Sequence, residues 1–143
     1  IVDKVHKYES SYSEWREVIA SDGENTLVVN WSDDGGLFVS AAPETRPMGL
    51  GILGVTEEEL ARMDREHSLD NHLEFEGTRY NYRNSGEAFF YENSAGAAQG
   101  FWIWEFASED EDKVLSIDKW EETPFQGYVS EVVPPESIAV YEK

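Results

Sequence analysis

Most of the chain reads as short β-leaning runs that mix apolar and polar positions. Such runs lie at Val2–Tyr8, Trp15–Ala20, Thr26–Trp31, Leu37–Ala41, Leu73–Glu76, Thr78–Tyr82, Ala88–Glu92, Val114–Ile117, Gly127–Val133 and Ser137–Tyr141. Asp22-Gly23, Asp33–Gly36, Glu76-Gly77, Ser85-Gly86 and Glu109–Asp112 punctuate them as turns, and Pro134-Pro135 stops the penultimate run. Gly100–Ala107 is apolar on both faces, which predicts a central strand covered on both sides. One helix is expected at about 56–67. Thr56 and Glu59 have capping-box spacing, Val55 and Leu60 occupy the staple positions, and Leu60 and Met63 give a narrow apolar stripe. Pro43–Gly54, with two prolines and three glycines, reads as a loop.

These elements predict one compact, mainly β domain over residues 1–143: an antiparallel meander barrel or a two-layer sandwich with one short α-helix. A weak repeat suggests an internal duplication. Trp15, Leu27, Trp31 and Val39-Ser40 match Trp104, Leu115, Trp120 and Val129-Ser130, and each Trp pair is separated by 16 residues.

Charge narrows the functional classes. The 143 residues carry 11 basic and 30 acidic side chains, a net charge of −19. Such a surface repels phosphate backbones and anionic headgroups, so nucleic acid and anionic membranes are not expected partners. The acids are spread along the chain, and their mutual repulsion is relieved by salt. This reads as a salt-adapted, halophilic cytoplasmic protein, with an ordinary acidic protein as the alternative. No cysteine is present, so disulfides and thiolate chemistry are excluded. The start at Ile1, without a signal-like stretch, reads as a piece processed or excised from a longer chain, leaving room for an anchor before residue 1.

Several short motifs look like a known family. Tyr8, Trp15-x-Glu17, Leu27-Val28-Val29 and Asp34-Gly35-Gly36-Leu37-Phe38 resemble the core pattern of the domain of unknown function 4178 family. Phe75-Glu76-Gly77-Thr78-Arg79-Tyr80 resembles its F-x-G-x-x-Y hairpin. Trp104-Glu105-Phe106 and Glu131-Val132-Val133-Pro134-Pro135 resemble its closing strand and tail. The helix at about 56–67 is not one of its marks. The resemblance implies an accessory or binding role beside envelope-stress and membrane-remodelling proteins, and it carries over no catalytic residue.

The leading expectation is therefore a non-catalytic binding or adaptor domain that meets a protein partner, its oligomeric state open. The apolar stretch with Met48, Leu50, Ile52 and Leu53 is the candidate contact surface. The alternative is a carboxylate-dependent hydrolase. Glu17 shares a strand face with Trp15 and Ile19, and Glu105 shares one with Phe101 and Ile103, so apolar surroundings would raise both pKa values. A nucleic-acid mimic is a third possibility.

The remaining motifs are weaker. Trp102, Trp104, Trp120, Phe125 and Tyr128 read as core aromatics before they read as a stacking face. His67 and His72 share no helical face, His6 reads as solvated, and no metal site or cofactor is expected. Asn30-x-Ser32-x-Asp34-Gly35 resembles half an EF-hand loop, but Ala41 stands where the bidentate Glu is needed, so a hairpin turn is expected. Gly49–Gly54 fits G-x-G-x-x-G as a string, without the preceding strand that a phosphate loop needs.

Overall fold

Short β-rich runs make strands here, and long-range pairing closes them. The computed structural model describes residues 2–10, 13–21, 26–32, 38–43, 47–95 and 97–132. The turns at Asp22-Gly23 and Asp33–Gly36, the Asp34-Gly35 half of the EF-hand-like string, Pro134-Pro135 and the Ser137–Tyr141 run lie outside the described residues. The strands are β1 (Val2–Ser10), β2 (Glu14–Ser21), β3 (Thr26–Ser32), β4 (Phe38–Pro43), β5 (His72–Phe75), β6 (Thr78–Tyr91), β7 (Gln99–Ser108), β8 (Lys113–Lys119) and β9 (Gln126–Val132). Two helices, α1 (Leu50–Leu53) and α2 (Glu57–Glu66), lie between β4 and β5.

All pairings are antiparallel, in the order β1-β2-β3-β4-β9-β8-β7-β6-β5, and β1 also pairs with β6. Eight strands therefore close into a barrel rather than a sandwich, with β5 as a flap on the first half of β6. Two meanders, β1–β4 and β6–β9, make up the ring. Their seams are Lys7–Ser10 against Ala88–Tyr91 and Ser40-Ala41 against Glu131-Val132. Exchanging the meanders maps each seam onto itself, the topology a duplication would give. The Trp spacing is nevertheless not its signature, because Trp15 faces inward where Trp104 faces outward, and Trp31 faces outward where Trp120 faces inward. Glu17 and Glu105 both face inward, and Leu27 and Leu115 both face outward.

The main apolar core lies outside the barrel wall. Tyr80, Tyr82, Trp104, Phe106, Leu115 and Ile117 on the second meander pack against Leu53, Val55, Leu60 and Met63 of the helical layer. The capping box forms as expected: Thr56 accepts from the Glu59 amide, and the Glu59 side chain accepts from the Thr56 amide. The Trp104 indole donates to the Leu60 carbonyl at 2.8 Å and fixes α2 on β7. Strand β7 is thus covered on both sides, by helices outside and by the aromatic interior inside. The corresponding outer face of the first meander carries Leu27 at 44% and Trp31 at 38% exposure.

Two local expectations are corrected. Pro43–Gly54 is not all loop, because α1 forms within it and ends on Gly54 in the left-handed region. Ser85-Gly86 is not a turn: β6 runs through it with a bulge between Tyr82 and Asn84. The Ser85 hydroxyl is used in the wall. His67 Nδ1 lies 3.0 Å from the Tyr82 hydroxyl, which lies 2.6 Å from Ser85 Oγ, which donates to Asp64 at 2.6 Å. This relay, buried at Tyr82 and Ser85 and reaching the surface at His67, ties the last turn of α2 to the strand.

Candidate functional site

Register alone decides which side chains enter the barrel, because cross-strand partners share a face. Tyr8 opposes Trp15, His6 opposes Glu17, and Glu17 opposes Asn30, which opposes Ser40. On the other meander Ala88 opposes Phe101, Ile103 opposes Asp118, and Glu105 opposes Ser116, which opposes Tyr128. The interior therefore has an aromatic part and a polar, acidic part.

The aromatic part is continuous. Tyr8 stacks on Trp15 with centroids 5.2 Å apart, and Phe101 stacks on Trp120 at 4.3 Å. Tyr8 meets Phe101 edge-on at 5.8 Å, joining strands from the two meanders. Phe90 touches Tyr8 and Trp120. A shallow depression of about 410 Å³ opens onto the Phe101–Trp120 stack beside Trp102 and Lys119.

The acidic part holds both carboxylates singled out from sequence, and a third. Glu17 accepts the Tyr8 hydroxyl at 3.2 Å. Burial raises its pKa, and the tyrosine hydrogen bond opposes that rise. Asp118 is pushed up to about 8, first by burial and then by the negative charges of Glu105 and Glu17. Its Oδ1 is enclosed without a hydrogen-bond partner. Tyr8 and Tyr128 are raised by burial and by Glu17 and Asp118. Glu17, Glu105 and Asp118 thus share one electrostatic environment inside the barrel.

Part of the interior lining keeps accessible surface. Glu17, Ile19, Val28, Asn30, Val114, Ser116, Asp118, Tyr128 and Ser130 face inward yet are only half-buried. Phe106, Leu115 and Ile117, on the outside of the wall, have no measurable exposure. In a filled eight-stranded barrel the inward positions are the buried ones.

The other predicted residues are placed as follows. Leu53 is 1% exposed, Met48 and Leu50 pack on the outer core, and Ile52 at 66% is the exposed member of the four. Met48 also exchanges two backbone hydrogen bonds with Gly127. Leu50 borders a groove of about 490 Å³ with Val55, Thr56 and Phe125. The five aromatics do not form one face: Trp104 and Phe125 lie under the helices, Trp120 and Tyr128 line the interior, and Trp102 is on the surface. His6 is not solvated but 6% exposed, accepting from the Asn93 amide. Burial and then Lys4 lower its pKa, which favours the neutral ring.

Sequence reasoning missed Asp118, because an acid in an alternating strand ordinarily points to water. No local signal marks it, and only its register opposite Ile103 places it inward. Among the described residues, no group of three or more His, Cys, Asp or Glu side chains is arranged to hold a metal ion. No helix of the described residues is long and apolar enough to cross a membrane. No curated protein and no solved structure matches the chain. Residues 1–135 match the model of a domain of unknown function (DUF4178), and the chain belongs to that family.

Proposed function

We propose that the chain is a non-catalytic binding domain that takes a small ligand inside its barrel. One observation carries this reading: nine inward side chains, among them Glu17, Val28, Ser116 and Asp118, keep accessible surface, while Leu60, Phe106, Leu115 and Ile117 in the outer core keep none. Eight strands enclose an interior that side chains either fill or leave to one small ligand. The test is to fill it. Ser116→Phe and Val28→Phe each add bulk at inward positions, and overpacking a filled core costs about 1–3 kcal/mol. Melting temperatures at or above the parent value support the reading, and a loss of that size in both variants contradicts it.

A second reading is a carboxylate-dependent hydrolase using Glu17 and Glu105. It is favoured by the position of Asp118, whose pKa of about 8 keeps a proton on a carboxyl beside those two acids at neutral pH. Hydrolysis of a glycoside or ester that is lost in both Glu17→Gln and Glu105→Gln would support it. The acidic surface is read as an adaptation to concentrated salt.

A further inference from the structure

The interior has the chemistry of a cation site. Glu17, Glu105 and Asp118 enter it from β2, β7 and β8, and Asp118 Oδ1 is enclosed with no hydrogen-bond donor. Among the described residues no salt bridge reaches Glu17 or Asp118. The basic side chains nearest in sequence are directed elsewhere. Lys119 donates to the Trp120 and Thr123 carbonyls, Arg16 lies beside Glu14 on the outer face, and His6 is held toward its neutral form. Carboxylates such as Asp118, enclosed at its Oδ1, and Glu17, both met by no described cation, carry a desolvation penalty that a bound cation offsets.

The neighbouring surface selects the kind of cation. Tyr8, which donates to Glu17, belongs to the aromatic cluster through Trp15 and Phe101, and Tyr128 lies close enough to both Glu17 and Asp118 to feel their charge. Ring faces attract ammonium groups and cover alkyl carbons, whereas a hard metal ion would require several converging oxygens. We infer that the barrel interior binds a small organic cation, its ammonium group met by Glu17 and Asp118 and its carbons lying against Tyr8 and Tyr128. This rests on the reading of the interior as a ligand site.

Binding also has a proton signature. A cation beside Asp118 lowers its pKa from about 8, so the complex releases a proton near pH 7. Glu105, Glu17, Tyr8 and Tyr128 are the titratable groups facing Asp118, and the two tyrosines stay protonated there.

Calorimetric titration of the full chain with n-butylammonium chloride, and with n-butanol at matched ionic strength, tests this. The expected result is saturable ammonium binding at least about tenfold tighter than that of the alcohol. Its heat should vary with buffer ionisation enthalpy, as close to one proton is released. Asp118→Asn and Glu17→Gln should each weaken ammonium binding about tenfold or more. The proton readout needs no variant, so it stands even where a variant fails to fold. Equal binding of the alcohol overturns the cation inference and leaves the ligand-filled barrel standing. Ammonium binding without proton release, or unchanged in both variants, is surface attraction and overturns it as well. Absence of binding by either probe overturns both readings.

Discussion

Tyr8 on β1 donates its hydroxyl to Glu17 on β2 at 3.2 Å, and this contact joins the aromatic and acidic parts of the barrel interior. The same ring stacks on Trp15, so one side chain positions a carboxylate and holds a wall. The distance is long for an O–H···O bond, which places its net worth near the low end of about 0.5–1.5 kcal/mol. Tyr8→Phe keeps the ring packing and removes the donor. Melting should show a loss of that order, and carboxyl titration by NMR should place the Glu17 pKa higher than in the parent. An unchanged or lowered Glu17 pKa would contradict the contact.

The pH dependence follows from Asp118. Its folded pKa of about 8 lies above the unfolded value of 3.8, so the folded state binds more protons between those limits. Stability is therefore greatest below about pH 4 for this group and falls as pH rises toward 8. The slope is at most about 1.4 kcal/mol per pH unit for a single group. Glu17, also raised by burial, adds in the same direction. Asp118→Asn should flatten the fall in denaturant-derived stability between pH 5 and pH 8, windows set by those two values. A parallel curve for the variant would be inconsistent with this account.

Gly127 marks where the helical layer meets β9. A Cβ there would stand 2.5 Å from Leu53 Cδ1 and 3.2 Å from the Met48 carbonyl oxygen. Leu53 is buried and Met48 is bonded to Gly127 through the backbone, so neither neighbour can withdraw freely. Gly127→Ala should destabilise by about 1–3 kcal/mol, as overpacking does. Thermal or chemical melting checks this, and an unaffected midpoint would show that α1 shifts without cost.

A net charge of −19 leads to the expectation that salt stabilises the fold. At −19 the folded surface repels itself, and the screening length shrinks from about 30 Å at 0.01 M salt to about 3 Å at 1 M. The melting temperature should rise steadily across that range in sodium chloride. A flat response would remove the case for salt adaptation.

Much of the wall was legible in the sequence because β-rich composition and Asx-Gly or acidic turns are local signals. The Thr56–Glu59 cap and the doubly covered Gly100–Ala107 strand were legible for the same reason. Closure was not, since a barrel differs from a sandwich only in the seams Lys7–Ser10 with Ala88–Tyr91 and Ser40-Ala41 with Glu131-Val132. Those pairings join distant segments that carry no mutual mark. Ser85-Gly86 looked like a turn because its hydroxyl's partners, Tyr82 and Asp64, come together only in the folded state. The site was half legible. Glu17 and Glu105 stood among apolar neighbours on their strands, whereas Asp118, Ser116 and Asn30 looked like surface positions. A barrel with a polar interior inverts the usual rule, and only register reveals it.

The central claim is that the interior receives a ligand. Amide and methyl chemical shifts, recorded during titration with n-butylammonium, n-butanol and butyrate at fixed ionic strength, test it most directly. The account predicts that at least one probe gives saturable shifts concentrated at inward positions, among them Glu17, Asn30, Ser116 and Asp118. Shifts confined to outer positions such as Trp31 and Ile52, or no saturable shift with any of the three, would contradict it.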